Sequence, residues 1–419
     1  MTEPAAWAAT LPKLTLRDRV WRYKGEGNAN VVLSVPADGI VVRVMKEGND
    51  GSGVTTAAAA ETLSVRLNFC DAVNRSFFGG GGRHVDVPVP MRVSAEELRE
   101  IDTLIRPDRP PDRKHKSLVC AGGLVAVCPD YTTLPPTDVS GVWCIEIKPK
   151  QGWVHREDMA CGSGVVRVKC PFCAHQYLKL CRGDVRRPSG YCPMDMFSGR
   201  RKRVRRAVGA LLWDPQNNLK MFLDGNPLVA LGDGFRSAAK EALGTVQRFC
   251  ALVTGALLGD FDGSQDAPVD GSDAPDEDHD HGTASGASPP SCDFDDAAPM
   301  PRHCVLHEIL TMQKMQTAGF AAVCSEYDGR PPRDPQFGHV DRLRPNNGDD
   351  TAWSPVDGYL VAATARDCSV FVTFRPDSPL TTIRVKVSDL DPKPLSTVDK
   401  HRNRDADILL ACQRHSVSY

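Results

Sequence analysis

The sequence predicts an α+β protein with two lobes or domains. Short β-branched runs at 31–33 and 39–46 indicate strands, whereas good helix formers with apolar residues at helical spacing fill 57–70 and 95–104. With 419 residues the chain is long enough to bury more than one hydrophobic core, so it is not a small binding module.

The composition excludes several classes of protein. Hydrophobic residues at 41% and charged residues at 25% are ordinary for a soluble globular chain. The formal net charge of −2 argues against a protein that coats nucleic acids, so we expect no stable nucleic-acid binding and a local anion site at most. No apolar run approaches the roughly 18 residues that span a bilayer, and no charged start leads into a signal-peptide core.

These features set expectations for the environment of the protein. We expect a soluble intracellular chain, located in the cytoplasm, the nucleus or both, with no membrane partner. Its 15 cysteines are then predicted to be reduced thiols. We also expect the protein to act as a monomer.

The first element that suggests chemistry is a glycine-containing turn between two strands. Closely spaced glycines let backbone amides approach a phosphate, although most tight hairpins of this kind bind nothing. In the next strand Arg43 interrupts a β-branched run, where a charge is costly unless it faces a ligand or water at a sheet edge. The turn consists of Gly25, Glu26, Gly27, Asn28, Ala29 and Asn30.

A hairpin and a linker are predicted next. Apolar runs at 118–120 and 124–128 flank Gly122 and Gly123, and two adjacent glycines between such runs are typical of a hairpin turn. The segment that follows contains Asp130 and would connect two lobes, with backbone groups free to meet an adenine edge.

A short basic motif ends the following apolar run. Glu146 is followed by Lys148-Pro149-Lys150, in which a rigid proline separates two ammonium groups. Such lysines suit a polyanion better than an apolar partner, and the alternative is a solvated loop at a strand end. The Glu146 carboxylate is predicted to accept hydroxyl protons from a ribose or to pair with a neighbouring lysine.

A cysteine pair offers two alternatives. Cys170 and Cys173 are spaced as zinc ligands, with His175 nearby. A closed structural zinc site usually contains two such pairs and only one is present, so reduced thiols without metal are the other alternative. Further ligands could come from Cys161, Cys181 and Cys192.

The middle of the chain combines basic, apolar and low-complexity segments. The basic cluster at 200–206 would suit nuclear import or nucleic-acid binding, but the apolar residues after it favour an amphipathic helix with a solvated basic face. The paired Asn217 and Asn218 are typical of a turn, and beside a ligand their amides could instead donate to phosphate. Apolar positions at 235–253 fall on one helical face, and 260–299 is predicted to be a disordered insertion.

Two aspartates lie beside predicted strands near the end of the chain. We predict strands at 358–365, 370–374 and 383–387, with Asp367 and Asp389 next to them. Phosphoryl transfer needs one carboxylate to orient or accept the proton of a hydroxyl and another to hold magnesium on the nucleotide. Asp367 and Asp389 fit those roles in that order, although each alone is more typical of a turn.

Together these motifs resemble the inositol-pentakisphosphate 2-kinase family. The resemblance extends from about residue 21 to residue 393. It depends on the glycine turn at 25–30, Glu-Ile-Lys-Pro-Lys at 146–150, His-Gln at 175–176, Asp-Met-Phe-Ser-Gly at 195–199, Pro-Gln-Asn-Asn at 215–218, Ala-Thr-Ala-Arg-Asp-Cys-Ser at 363–369, and Asp389 with Lys393-Pro394.

The resemblance implies a two-lobed fold distantly similar to protein kinases. An N-terminal lobe at 14–128, a hinge at 129–132 and a C-terminal lobe at 133–419 would enclose ATP and Mg²⁺. The reaction would phosphorylate the 2-hydroxyl of inositol 1,3,4,5,6-pentakisphosphate to inositol hexakisphosphate.

The resemblance also assigns roles to residues. Asp367 would be catalytic and could also contact Mg²⁺, and Asp389 would bind Mg²⁺. The glycine turn and Arg43 would hold nucleotide phosphates, and Asp130 and Glu146 would contact the adenosine. The inositol phosphate would be bound by Arg109, Lys148, Lys150, Lys179, Asn217, Asn218 and Lys393.

The chain departs from the family pattern at several positions. Pro171 stands where the family usually has arginine, and Thr397 and His401 stand where relatives have a basic residue and a tyrosine. Three residues could compensate for the missing charge, namely Lys400, Arg402 and Arg404.

Two other functions share part of this pattern. A binding-only inositol phosphate or phosphoinositide sensor would keep the lysines but would not need Asp367 and Asp389. A protein kinase would share the glycine turn, but the chain has no His-Arg-Asp loop and no Asp-Phe-Gly triplet.

Overall fold

A computed structural model of the chain describes residues 4–48, 54–135, 140–159, 169–259, 292–294, 297–331, 334–343, 353–379 and 382–415. This part of the chain contains two antiparallel sheets and fourteen α-helices, which confirms the predicted α+β class. The strands are β1 Arg22–Glu26, β2 Asn30–Val35, β3 Ile40–Met45, β4 Val89–Arg92, β5 Leu124–Pro129, β6 Trp143–Ile147, β7 Leu219–Leu223, β8 Asn226–Pro227, β9 Ser369–Phe374 and β10 Arg384–Ser388.

The helices vary from one turn to 22 residues. No helix among the described residues is both long and apolar enough to cross a membrane. The helices are α1 Pro4–Thr10, α2 Thr56–Phe77, α3 Ala95–Ile105, α4 Arg156–Met159, α5 Pro171–Arg182, α6 Pro193–Met196, α7 Arg201–Trp213, α8 Arg236–Leu243, α9 Val246–Leu258, α10 Val305–Gln313, α11 Phe320–Gly329, α12 Gly338–Arg342, α13 Pro355–Ala365 and α14 Thr397–Arg414.

The first sheet has the order β1-β2-β3-β5-β4 and separates two small cores. Val31, Leu33 and Val35 alternate along β2 and are buried on one face, as the two-residue period of a strand requires. Helix α3 packs on this face with Leu98, Ile101 and Ile105. Helix α2 covers other residues of the same sheet with Ala59, Ala60 and Leu63.

The predicted hairpin at 118–128 is wrong. Strand β5 pairs with β3 and β4, and Leu118 forms only an isolated bridge with Lys46. The two glycines lie in a 3₁₀ turn instead, and Gly123 has a φ of 66°. A Cβ at Gly123 would lie 1.8 Å from the Val93 carbonyl oxygen, so the glycine serves a close backbone approach.

The second sheet has the order β10-β9-β6-β7-β8, and β6 is buried along its whole length. A central strand covered on both faces reads as a continuous apolar run, as Trp143–Ile147 does apart from Glu146. Burying each large apolar side chain contributes about 1.5–3 kcal/mol. The helical side of this core includes Val204, Val208, Leu211, Phe249, Val253 and Ile309.

Two predicted elements differ from the structure. The expected strand at 358–365 is wrong, because this segment belongs to α13, whose N-cap Ser354 precedes Pro355. Helix α13 is apolar on all sides because it is buried, so its sequence shows no helical period. The face at 235–253 is split between α8 and α9, because Gly244 adopts a φ of 77°.

The end of the predicted insertion packs on the protein. Phe294 is packed against the large core, and the Ala298 amide donates to the Ser198 carbonyl at 2.7 Å. Arg203 of α7 donates to the Asp293 carbonyl at 2.9 Å. The remainder of 260–299 lies outside the described residues.

Candidate active site

A cross-sheet ion pair places Asp389 beside two predicted site cations. Asp389 follows β10, Arg43 lies on β3, and Lys148 follows β6. Arg43 donates from Nη2 to Oδ1 of Asp389 at 2.8 Å, and Lys148 Nζ lies 3.3 Å from Oδ2. The Asp389 carboxylate therefore joins residues from both sheets.

Asp367 is also held between two cations. It lies between α13 and β9, and its side chain is about half exposed, at 54%. Lys393 Nζ is 2.8 Å from Oδ2, and Lys150 Nζ is 3.4 Å from Oδ1. The structure thus brings together residues that were predicted from widely separated motifs.

These cations control the protonation of both carboxylates. Burial alone would raise the pKa of Asp389, but Arg43 and Lys148 outweigh it and lower that pKa to about 2. Burial likewise opposes ionisation of Asp367, yet Lys393 and Lys150 hold the pKa of this carboxyl well below its usual range. Both groups are therefore carboxylates at neutral pH.

Unusual backbone conformations coincide with the site. Among the described residues, four that are not glycine have positive φ, and three of them carry or adjoin the candidate site: Lys150 at 63°, Gln216 at 43° and Asp389 at 63°. Such conformations are unfavourable for residues with a Cβ and persist only where surrounding contacts enforce them. Their position at Lys150 and Asp389 supports a functional constraint.

Ser369 and Asp391 were missed by the sequence analysis. Ser369 Oγ donates to Glu146 at 2.9 Å and lies 3.2 Å from Asp389, so it connects the predicted adenosine and metal contacts. Asp391 accepts from Asn30 at 3.4 Å and lies 4.0 Å from Arg43. The signal for Asp391 was a second carboxylate only two residues after Asp389.

A groove with three cations lies within electrostatic range of Lys150. Lys179 of α5 donates to Gln216 at 3.3 Å, and burial followed by the nearby Lys150 lowers its pKa. The groove is lined by Lys179, Arg186, Arg187 and Asn217, together with Asp184, Val185, Asp214 and Gln216. Lys150 and Lys179 therefore belong to one electrostatic region.

The second asparagine has a buried, unsatisfied amide. Asn218 is 1% exposed, and neither side-chain polar atom has a hydrogen-bond partner among the described residues. The backbone carbonyl of Asn218 accepts from the Lys148 backbone amide at 2.8 Å, which fixes the basic motif beside it. A buried amide without a partner requires an explanation, and a ligand phosphate is one.

Comparison with known proteins identifies the family. A profile described as inositol-pentakisphosphate 2-kinase matches residues 23–407. The chain belongs to this family. The identification made from the motifs is confirmed.

Two relatives are similar over almost the whole chain. The inositol-pentakisphosphate 2-kinase of Danio rerio is 27% identical over 463 residues, covering 93% of this chain and 92% of the relative. The protein of the same name from Arabidopsis thaliana is 25% identical over 446 residues, with the same coverage. The chain is therefore similar to full-length kinases of this family.

The glycine turn connects β1 and β2 but its acidic side chain turns inward. The Glu26 side chain is fully buried and accepts from Lys46 at 2.5 Å and from Arg109 at 2.8 Å. No atom lies within 4 Å of a Cβ built at Gly25 or Gly27, so the turn leaves open space for a ligand. Phosphate binding by the turn stays a prediction that concerns its backbone.

Arg109 belongs to a cluster of ion pairs at the first sheet, formed with Glu26, Lys46 and Asp102. Its side chain is fully buried, and it donates to Glu26, to Asp102 at 3.3 Å and to the Arg113 carbonyl at 2.9 Å. Substrate binding by Arg109 stays a prediction, and it would require these bonds to open.

Asp130 has a similar set of internal partners. Lys24 Nζ lies 2.7 Å from its carboxylate, and Ser34 and Thr132 donate at 3.0 and 2.7 Å. Its contact with adenosine also stays a prediction. With these contacts the Asp130 side chain fixes the segment between β5 and β6.

The departures from the family pattern occupy structural positions. Pro171 is the first residue of α5, where a proline loses no helical hydrogen bond. His401 accepts or donates a 2.6 Å hydrogen bond with the Tyr359 hydroxyl. Burial, followed by the charges of Arg404 and Lys179, lowers the pKa of His175 to about 4, so one of the three suggested compensating cations acts on the same histidine as Lys179.

Proposed function

We propose that the chain transfers the γ-phosphoryl group of ATP to the 2-hydroxyl of inositol 1,3,4,5,6-pentakisphosphate, forming inositol hexakisphosphate. The observation that carries this proposal is the pair of carboxylates, Asp367 and Asp389, each held between two cations. A binding-only sensor would need the cations but not the two ionised acids.

The cations match the charge of the substrate. Five phosphate monoesters carry roughly −8 to −10 charges near neutral pH, at about −1.5 to −2 each. Lys150 and Lys393 contact Asp367, and Lys179 lies within electrostatic range of Lys150. Charge-assisted hydrogen bonds from these lysines can replace the phosphate hydration. When the substrate binds, its phosphates would take over lysine contacts that Asp367 now accepts.

Asp367 would orient the attacking hydroxyl. Its lowered pKa makes it a weak base, so positioning the hydroxyl is a better description of its role than early proton removal. Holding the hydroxyl in line with the γ-phosphate supplies the proximity on which phosphoryl transfer depends.

The donor set around Asp389 fits magnesium. Two carboxylates, Asp389 and Asp391, provide oxygen ligands, and protein sites for Mg²⁺ commonly use only one or two carboxylates with substrate phosphates. When bound, Mg²⁺ would neutralise charge on the β- and γ-phosphates. Arg43 would then be free to contact phosphate.

We also propose a kinase-like division of labour between two lobes. The first sheet carries the glycine turn and Arg43. The second sheet carries Glu146, and Asp367 and Asp389 lie next to its strands β9 and β10. ATP would bind between them, with 129–132 as the hinge. All of these groups come from one chain, so a monomer is sufficient.

A panel assay tests the proposal. Purified protein would be incubated with ATP and Mg²⁺ and with inositol phosphates that differ in phosphate number and position. We expect one phosphate to be added to the pentakisphosphate with a free 2-hydroxyl, identified by NMR of the product. Tight binding of that compound without ATP-dependent product would instead support the sensor.

A further inference from the structure

Arg66 interrupts the buried stripe of helix α2. Leu63 and Phe69, three residues before and after it, are at most 3% exposed, and Cys70 is buried as well. Residues at this spacing lie on one face of a helix, so the apolar stripe passes through position 66. Arg66 itself is half-buried, and a charge in such a position is costly unless it meets a partner or a ligand.

The helix offers this guanidinium no carboxylate. An arginine on a helix can pair with an acid three or four positions away, but those positions hold Thr62, Leu63, Phe69 and Cys70. Across the described part of the chain, Arg66 forms no salt bridge, and its one hydrogen bond runs from Nη1 to Asn30 Oδ1 at 2.9 Å. The positive charge of Arg66 is therefore not neutralised by any residue that the structure describes.

Arg66 lines the cavity that contains the proposed nucleotide and metal contacts. Helix α2, strands β3 and β5 and the end of β10 surround this cavity, and Asn30, Arg43, Asp389 and Asp391 line it together with Arg66. Arg43 is already paired with Asp389 at 2.8 Å and lies 4.0 Å from Asp391. Of the two arginines in the cavity, Arg66 is thus the one that a ligand could neutralise without breaking an ion pair among the described residues.

Asn30 holds Arg66 beside the glycine turn. The Asn30 Oδ1 atom accepts from Arg66, and its Nδ2 atom donates to Asp391 at 3.4 Å. A guanidinium only donates and a carboxylate only accepts, so one orientation of the amide satisfies both neighbours. Asn30 is 8% exposed, which limits competition from water. The amide therefore fixes the guanidinium next to the acids that are proposed to bind Mg²⁺.

We propose that Arg66 binds a phosphate of the nucleotide, as a second cation beside Arg43. Most of its N–H donors have no acceptor in the described ranges, and the planar fork of a guanidinium matches phosphate oxygens. Its charge would stabilise the triphosphate while Asp389 and Asp391 remain with the metal. This inference rests on the proposed function, because it requires ATP in this cavity.

Nucleotide affinities of the full chain test the contact. The Kd values for ATP and for adenosine would be measured by calorimetric titration with Mg²⁺ present. Arg66→Gln removes the charge but keeps a donor for Asn30, so the Kd for ATP should rise about tenfold while the Kd for adenosine stays unchanged. Arg66→Lys keeps the charge, and its Kd for ATP should stay within about threefold of the unmodified value.

Three results would overturn the proposal. They are an unchanged Kd for ATP in Arg66→Gln, an equal weakening of adenosine, and an Arg66→Lys protein that binds ATP as weakly as Arg66→Gln. The last result would show that Arg66 acts by holding Asn30 rather than through its charge.

Arg75→Gln is the matched control. Arg75 lies on the same helix but is exposed, and it pairs with Asp71 at 2.9 Å. Its replacement should leave both Kd values unchanged. An equal rise in the Kd for ATP in Arg75→Gln would mean that the total charge of α2, rather than the position of Arg66, determines affinity, and this would also overturn the proposal.

A structure of the unmodified chain covers variants that do not fold. With Mg²⁺ and a non-hydrolysable ATP analogue bound, a guanidinium nitrogen of Arg66 should lie about 2.7–2.9 Å from a phosphate oxygen. A separation beyond about 4 Å would overturn the contact.

Failure of this inference and failure of the proposed function give different results. Protein that binds ATP through Arg66 but phosphorylates no inositol phosphate would reject the proposed reaction and leave the contact standing. Normal turnover with an unchanged Kd for ATP in Arg66→Gln would reject the contact alone. Unmodified protein that binds no ATP would reject both.

Discussion

Arg43 donates to Asp389 at 2.8 Å, although the two residues lie 346 positions apart. This bond connects β3 of the first sheet to the end of β10 in the second. It also means that one side chain proposed to bind nucleotide holds the side chain proposed to bind metal. Movement of either sheet would therefore change both contacts.

Replacing Arg43 should impair the use of ATP. Arg43→Met removes the cation but keeps a similar length, and loss of one or two charge-assisted contacts of about 1.5–3 kcal/mol should lower kcat/KM for ATP by about 10- to 100-fold. The KM for inositol phosphate should change little. Steady-state kinetics with each substrate varied will measure both, and Arg75→Met on the exposed side of α2 is the control.

Asp367→Asn should remove catalysis without loss of the fold. The amide keeps the size of the side chain but carries no charge, so it accepts a weaker hydrogen bond from the hydroxyl and attracts Lys393 less, and we expect kcat to fall by about 10²- to 10⁴-fold. Turnover and thermal melting should be measured together. The exposed Asp377→Asn provides the matched substitution. Normal turnover in Asp367→Asn would exclude this residue from the mechanism.

Arg404 should compensate for the basic residue that relatives have at the position of Thr397. Burial, followed by the charge of Arg404, lowers the pKa of His401 to about 3, and Asp367 acts on the same ring in the opposite direction, so Arg404 and Asp367 both lie within electrostatic range of His401. Arg404→Ala should raise the KM for inositol phosphate by about tenfold, the equivalent of 1.4 kcal/mol, with the KM for ATP unchanged.

Arg402→Ala is the appropriate comparison for Arg404→Ala. Arg402 lies on the same helix but donates to Asp328 at 2.8 Å. Its removal should leave both KM values unchanged. Equal effects of the two variants on the KM for inositol phosphate would show that total charge, rather than the position of Arg404, matters.

The sequence identified most site cations but could not show how they pair. Lys148 and Lys150 were recognisable because a proline and an acidic residue surround them within five positions. Their pairing with Asp389 and Asp367 depends on strand order, which no local pattern records. Cys292 was not predicted to lie beside Cys170, Cys173 and Cys192, because in the sequence it lies alone in a segment of polar and small residues.

The errors in secondary structure have a common physical cause. In α13, burial on every side removes the polar positions that would reveal a period of 3.6 residues. Ser354 and Pro355 contained the missed helix signal, a cap followed by proline. In the false hairpin, Gly123 serves a close approach to the Val93 backbone, and Gly122 lies against the Thr56 side chain, so the two glycines do not form a two-residue turn.

Arg109→Leu should show whether this residue is mainly structural. It would leave Glu26 buried with one fewer cation, and breaking a buried ion pair costs about 3–5 kcal/mol. Denaturant unfolding should therefore show a large loss of stability. Arg106→Leu, three residues earlier and half exposed, should change stability by less than about 0.5 kcal/mol.

The kinetic result separates the two roles of Arg109. If Arg109 only supports the glycine turn, Arg109→Leu assayed at low temperature, where it stays folded, should raise the KM for ATP more than the KM for inositol phosphate. A stable Arg109→Leu protein with a raised KM for inositol phosphate alone would instead support the substrate contact that the family resemblance predicts.

Buried His339 should make stability sensitive to mild acid. It is 1% exposed, neither ring nitrogen has a hydrogen-bond partner among the described residues, and burial lowers its pKa to about 4. The unfolded chain, in which a histidine pKa is about 6.5, takes up a proton first as the pH falls. Stability is therefore lost between about pH 6.5 and pH 4, by about 2–3 kcal/mol for this residue.

His339→Leu should flatten this part of the pH dependence. Leucine fills a similar volume beside Phe69 and removes both unsatisfied nitrogens, so stability at pH 7 should be equal or higher. Urea unfolding between pH 4 and pH 7 measures the slope. His115→Leu is the control, because an exposed ring is solvated in both states and its replacement should leave the slope unchanged. An unaltered slope in His339→Leu would mean that another buried group, such as His401, dominates the acid response.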